Sequence, residues 1–242
     1  MNSIRATQLE KFINCPFKFR YEPEADPNSE AFKFGSALHK LVEMYVQWTE
    51  NQTAVDMILN PRWVKERKML KAMTEKFMQH IEERKLTYIL SEYSMLKQFN
   101  KDEESDTTLE GTFDLLFQDE DGKYIIVDIK TASSNWTQEH IDGVYQKYIY
   151  PALIEWNTWL HIDKFEYRVL KKTLTPSIQE VVYDVEPDVK DKVTNYIWEY
   201  NEALQSLQFA PKRPNYACFF CKVKVECTHF QHVTAEQWLQ NN

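Results

Sequence analysis

A chain of 242 residues, 43% hydrophobic and 14% aromatic, can bury a full core, and its length favours one domain spanning 1–242. No apolar run reaches bilayer length, and Met1 to Thr7 lacks the apolar core of a signal peptide, so the expectation is a cytoplasmic protein without a membrane partner. The formal net charge of −8 counts against a nonspecific polyanion binder, although cations gather locally at Arg5, Lys11, Lys18 and Arg20 and again at Lys164, Arg168, Lys171 and Lys172.

In chain order, Thr7 and Glu10 fit a capping box opening a short helix with Leu9, Phe12 and Ile13 as its buried stripe, which Cys15-Pro16 closes. Phe17, Phe19 and Tyr21 precede a polar loop, and the next helix carries Gly35, His39 and Glu43. His39 and Glu43 lie one turn apart on the same side. A helical insert, about 50–87, restarts at Pro61 and runs from Trp63 to Leu86, its core stripe being Leu70, Met73, Phe77 and Ile81. Tyr88 to Lys97 reads as a strand carrying Glu92, a secondary candidate as an accessory carboxylate. Leu109 to Thr131 reads as a hairpin that turns at Asp119–Gly122. Thr137 to Leu160 reads as one long amphipathic helix with Tyr145, Tyr148 and Trp156 in its stripe. Gln146 and Tyr150 share another of its sides. Strands near 164–170 and 178–185, a helix over 188–208, a cysteine loop over about 210–230 and a last short helix capped at Thr234 complete the chain. A block of strands with helices before, between and after it favours α/β with a mixed central sheet.

The hairpin carries the chemistry. Side chains alternate along a strand, so Asp128 and Lys130 share one face while Ile125, Val127 and Ile129 take the other. On the first strand the same rule sets Asp114 against Phe113 and Leu115. Pairing the strands brings two carboxylates and an ammonium together at the end of an apolar sheet. Isolated burial of such charges is costly, and a divalent cation shared by the carboxylates removes much of that cost. An ordinary hairpin with solvated charges fits these residues as well. Phosphodiester hydrolysis is a reaction such a grouping suits, because hard oxygen ligands hold a Lewis-acidic metal and a lysine is compact enough to sit beside it.

The cysteines are Cys15, Cys218, Cys221 and Cys227. A reducing cytoplasm disfavours two disulfides, and one distant thiol joining a compact group of three suggests a single tetrahedral thiolate site. Zinc takes such a set, and so does a cubane cluster.

The ordered motifs Gly35-x-x-x-His39, Gly111-x-x-Asp114, Asp128-Ile-Lys130 and Gln146-x-x-x-Tyr150 resemble the RecB-like branch of the PD-(D/E)XK nuclease superfamily. The Cys15-Pro16 pair and the Cys218-x-x-Cys221-x5-Cys227 run are similar to its iron–sulfur subset, which includes AddB-type nuclease domains and CRISPR-associated RecB-like nucleases. Phe113 stands where the superfamily's namesake proline would be. The resemblance implies a restriction-endonuclease-like core, with N- and C-terminal segments joined at a four-cysteine 4Fe–4S cluster, zinc being the alternative. It implies that Asp114, Asp128, His39 and the main-chain carbonyl of Ile129 bind Mg2+ or Mn2+. Lys130 would position the attacking water, and Gln146 and Tyr150 would orient the site or the strand. The function implied is a metal-dependent DNA nuclease, an exonuclease on single-stranded ends being favoured, in recombination, repair or phage DNA metabolism. No Walker-type phosphate loop is present, so any helicase working with it is another protein. The alternatives are a non-catalytic DNA-binding scaffold with the same fold and a zinc-stapled endonuclease.

Overall fold

The computed structural model describes residues 2–24, 26–47, 64–99, 107–212, 218 and 221–227. These form β1 (Asn2–Arg5), α1 (Ala6–Asn14), α2 (Pro16–Tyr21), α3 (Glu30–Gln47), α4 (Val64–Glu83), β2 (Thr87–Phe99), β3 (Thr107–Gln118), β4 (Tyr124–Ala132), α5 (Gln138–Asp142), α6 (Gln146–Asn157), β5 (Lys164–Lys171), β6 (Ile178–Asp184) and α7 (Val189–Ser206). One mixed sheet runs β1-β3-β4-β5-β6, with β2 also paired to β3. β3 is its axis. Antiparallel β2 runs along one of its edges, while parallel β1 and antiparallel β4 share the other. The hairpin turn is tied by Asp119, whose carboxylate accepts the amides of Asp121 and Lys123, and Gly122 supplies the positive φ of 82°.

The two faces of the sheet bury separate cores, as the alternation requires. Leu9, Phe12 and Ile13 of α1, Ile149 and Leu153 of α6, and Val193 and Ile197 of α7 pack on Leu116, Ile126, Phe165, Tyr167 and Val169. Leu38, Leu41 and Val42 of α3 and Leu70, Met73, Phe77 and Ile81 of α4 pack on Leu115, Phe117, Ile125, Val127 and Ile129. The architecture is the expected mixed sheet flanked by helices.

Several local expectations are corrected. The first helix begins at Ala6, one residue before Thr7, because β1 leads directly into it and Gln8 Oε1 accepts the Arg5 amide at 3.1 Å. The long helix over 137–160 is two helices meeting at Gly143–Tyr145. Residues of α1 hold that break: Asn14 Nδ2 donates to the Gly143 carbonyl at 2.8 Å, and the Tyr145 amide donates to Glu10. Four of the gathered cations do not contribute to basic patches. Arg5 pairs with Glu24, Lys11 and Lys18 pair with Glu22, and Arg168 is fully buried beside Glu166. The insert before Val64, including Pro61 and Trp63, and the last helix at Thr234 lie outside the described residues.

The chain's ends return to each other. The Lys212 ammonium donates to the Ile13 carbonyl, the Lys222 amide donates to Glu22 Oε1 at 3.3 Å, and Phe209 stacks against Phe19 at 6.4 Å. All four cysteines are half-buried and none is in a disulfide. The Cys15 sulfur caps α2 by accepting the Lys18 amide, and the Cys221 amide donates to the Cys218 carbonyl at 3.2 Å. Burial pushes the Cys221 thiol up, with the charges of Glu22, Lys18 and Cys218 acting on it, so this turn lies against α2.

Candidate active site

The pairing of β3 with β4 puts Leu115 opposite Val127 and Leu116 opposite Ile126, a register that, continued, would set Asp114 opposite Asp128 and Phe113 opposite Ile129. The ladder stops one step short of that pair. The Ile129 amide donates instead to Asp114 Oδ2 at 2.7 Å, so a carboxylate stands where a main-chain carbonyl would have been. The consequence reaches the side chains. Phe113 enters the α1/α6/α7 core while Leu115 enters the α3/α4 core, so these two do not share a face as simple alternation required. The strands separate at the point where the charges collect.

β2 is distorted at the same level. Ser91 pairs with Leu115 and Tyr93 with Phe113, which puts Glu92 level with Asp114, and Glu92 has a φ of +47°. A left-handed residue inside a strand costs roughly 1–3 kcal/mol and persists where the surroundings over-determine it. Here it accompanies a carboxylate turned toward the site. The ring of His39, from α3, completes the group: Nδ1 lies 3.2 Å from Asp114 Oδ1 and 3.8 Å from Glu92 Oε1. Its Nε2 is 2.9 Å from the Ile129 carbonyl. A carbonyl only accepts, so Nε2 carries a proton and Nδ1 faces the carboxylates. Ligand atoms of His39, Glu92 and Asp114 lie within 4.8 Å of one another, the one such group among the described residues. Glu43 lines the same cleft, held by Lys40 at 2.5 Å.

Asp128 and Lys130 stand beside this group. Asp128 is 2% exposed and its Oδ2 is 2.6 Å from the Lys130 ammonium. Burial raises the Asp128 carboxyl to about 6, with Lys130 opposing and Asp114 reinforcing that rise. Burial also works against the Lys130 ammonium, but Asp128 and Asp114 outweigh it and hold the lysine above its usual range. For His39, burial is outweighed by Asp114 and Glu92, which lift it to about 10. Asp114 goes the other way: burial would raise it, yet His39, Lys130 and the Ile129 amide hold it low.

Gln146 and Tyr150, both 5% exposed, meet on α6 with Nε2 donating to the tyrosine hydroxyl at 3.3 Å. Burial and the charges of Asp128 and Asp114 push the Tyr150 phenol well up, as expected for a hydroxyl turned toward this end of the sheet. Gly111 lets α6 come this close. A Cβ there would lie 2.7 Å from Leu153 Cδ1 and 3.1 Å from Tyr150 Cε1.

The structure therefore brings His39, Asp114 and Glu92 together, with the Asp128–Lys130 pair alongside. The Ile129 carbonyl is engaged by His39. No three cysteine sulfurs lie within 4.8 Å of one another among the described residues. Glu92, ranked second by sequence, belongs to the central group, and the signal was its place on the strand before the hairpin. From its spacing to Thr7, Glu10 reads only as a cap. It is half-buried and raised to about 7 by burial, with Lys130 lowering and Asp128 raising it, so it too faces this cluster.

A mixed sheet that opens between two strands around a His–Glu–Asp group and a lysine defines the class: an α/β fold with a candidate divalent-metal site. The chain belongs to the PD-(D/E)XK nuclease superfamily, whose family model matches residues 3–228. No curated protein matches it significantly. Among solved structures it is similar to SSO0001, with 18% identity over 96% of this chain and 88% of the other at a TM-score of 0.50. It is also similar to a protein of Eubacterium rectale provisionally named an exonuclease, with 11% identity over 97% and 89% of the two chains and a TM-score of 0.54. At these identities the likeness concerns the fold. No described helix is long and apolar enough to cross a membrane.

Proposed function

We propose that this protein is a metal-dependent deoxyribonuclease acting on single-stranded DNA ends. The observation that carries the reading is the convergence of His39, Glu92 and Asp114, beside an Asp128–Lys130 pair, where β3 and β4 part. Carboxylate oxygens with one imidazole nitrogen suit Mg2+ or Mn2+. His39 Nδ1, Asp114 and Glu92 would hold the ion, with Asp128 supplying a further oxygen. The His39–Ile129 contact favours this role, since a ligating histidine commonly donates its other nitrogen's proton to a carbonyl, which fixes the ring. When bound, the ion would supply Lewis acidity toward the phosphate and a lowered pKa for water.

The chain's own residues do the rest. Lys130, kept protonated by Asp128 and Asp114, points an ammonium at the place where negative charge grows on the phosphate. Asp128 fixes that ammonium. Gln146 and Tyr150 hold each other, within reach of the charges of Asp128 and Asp114, and would orient the site or the strand. The exonuclease preference is supported by the provisional name of the Eubacterium rectale neighbour. Recombination, repair or phage DNA metabolism in the cytoplasm is the setting proposed, with a helicase or recombination protein as a possible partner.

The reading extends to the iron–sulfur subset. A half-buried Cys15 at the head of α2 and a Cys218–Cys221 turn lying against α2 fit a four-thiolate staple completed by Cys227. A 4Fe–4S cluster would tie the two ends of the chain and restrain the unfolded state. Iron and sulfide content of protein purified without oxygen tests this, and stoichiometric zinc would replace the cluster with the zinc alternative. The nuclease reading is tested by digestion of strands labelled at either end, free or blocked, with Mg2+ or Mn2+.

A further inference from the structure

β4 leaves the site through Lys130 into a loop whose side chains form a graded surface. Ser133, Ser134 and Asn135 are exposed and polar. The Lys172 amide donates to the Ala132 carbonyl at 3.0 Å, which sets Lys171 and Lys172 alongside the start of the loop. Next comes Trp136, clamped at both main-chain polar groups by one side chain. Gln179 Oε1 accepts its amide at 2.7 Å, and Gln179 Nε2 donates to its carbonyl at 3.1 Å. The Trp136 ring rests against buried Tyr167 at 5.2 Å, and Tyr167 in turn lies 6.0 Å from the Lys130 ammonium.

The exposed His140 ring stacks on Trp136 at 4.3 Å and 15°. Thr137 caps α5 by accepting the His140 amide at 3.3 Å, which fixes the backbone from which the stacked ring extends. Burial by the stack lowers the imidazole pKa, which keeps the ring neutral at neutral pH. The tryptophan is thus anchored by β6 and backed by β5, while the histidine presents a flat neutral face to solvent within two ring contacts of Lys130. Covering Tyr167 needs Trp136 alone and leaves the His140 stack without a task.

We infer that the outer face of His140, backed by Trp136, is a stacking surface for one unpaired base of the DNA strand whose phosphate lies at Lys130. Phosphate-binding hydroxyls and amines followed by an aromatic face are what single-stranded DNA recognition needs, because every base has a π-face and every linkage a charge. The inference rests on the nuclease reading above.

The test is cleavage in Mn2+ of end-labelled single strands, each carrying one abasic residue at a successive position, by wild type, His140→Ala and His140→Phe. Melting curves check that the exposed substitutions leave the fold intact. The expected result is one position where losing the base raises KM about five- to hundredfold in wild type and His140→Phe, with little change in kcat. His140→Ala should show that raised KM on intact strands and no further rise at that position. A variant His140→Ala with the wild-type KM and the wild-type abasic profile, or a His140→Phe that fails to rescue, overturns the stacking surface while leaving the nuclease standing. A wild type that cuts no strand overturns the nuclease reading and the surface with it.

Discussion

His39 donates Nε2–H to the carbonyl of Ile129 at 2.9 Å, which leaves its Nδ1 facing Asp114 and Glu92. That single bond sets which nitrogen can meet a metal. His39→Ala should weaken Mn2+ binding more than tenfold by calorimetry, since both a donor atom and its oriented ring are lost. Equal affinity in the variant would place the ion elsewhere.

The same group makes metal binding pH-dependent. Without metal, His39 keeps its proton up to about pH 10, against 6.5 in the unfolded chain. Its contribution to stability is therefore complete below pH 6.5 and lost as pH rises toward 10. Asp128, raised from 3.8 to about 6, contributes in the same direction over the lower range. A metal must displace the His39 proton, so Mn2+ affinity should climb with pH, and titration at pH 7 should release about one proton. Calorimetry in buffers of differing ionisation enthalpy measures this, and zero release contradicts it.

On the α4 side of the sheet, Glu166 and Arg168 are both fully buried, and Arg84 reaches Glu166 at 2.6 and 3.0 Å. Removing Glu166 leaves the buried Arg168 guanidinium with the Tyr167 carbonyl at 3.5 Å and, among the described residues, one carboxylate, that of half-exposed Glu180 at 3.4 Å. Glu166→Leu should cost about 3–5 kcal/mol in urea unfolding, and adding Arg168→Leu should recover most of it. If the double variant is no better than the single one, the pair is not what sets the cost.

Gly111→Ala probes the support beneath Tyr150. The added methyl meets Leu153, Tyr150 and Ala6 in a closed core, so a loss of about 1–3 kcal/mol is expected. The corresponding change at Gly35, where nothing lies within 4 Å of the new Cβ, should stabilise α3 by up to about 1 kcal/mol. Thermal melts distinguish the two, and equal effects would contradict the packing described.

Much of this was legible because period-two alternation is a local rule. Asp128 and Lys130 share a face of β4, Ile125, Val127 and Ile129 share the other, and the stripe of Leu70, Met73, Phe77 and Ile81 is core as its spacing requires. The failures are places where distant residues intervene. Nothing near Gly143 says that Asn14 will take its carbonyl, so two helices read as one. Alternation predicts Phe113 and Leu115 on one face, but the Asp114 carboxylate takes the Ile129 amide and turns the strand there. Arg168 reads as a surface cation because Glu180, its partner from β6, and Arg84, which shares Glu166 with it, are set around it only by the sheet and the end of α4.

The most direct measurement is Mn2+-dependent digestion of end-labelled single-stranded DNA by wild type, Asp114→Asn and Lys130→Ala at matched folded concentration. The account predicts cleavage by wild type, abolished by chelator, and a loss of at least about a hundredfold in each variant. Cleavage by Lys130→Ala at the wild-type rate, or none by the metal-loaded wild type, would contradict it.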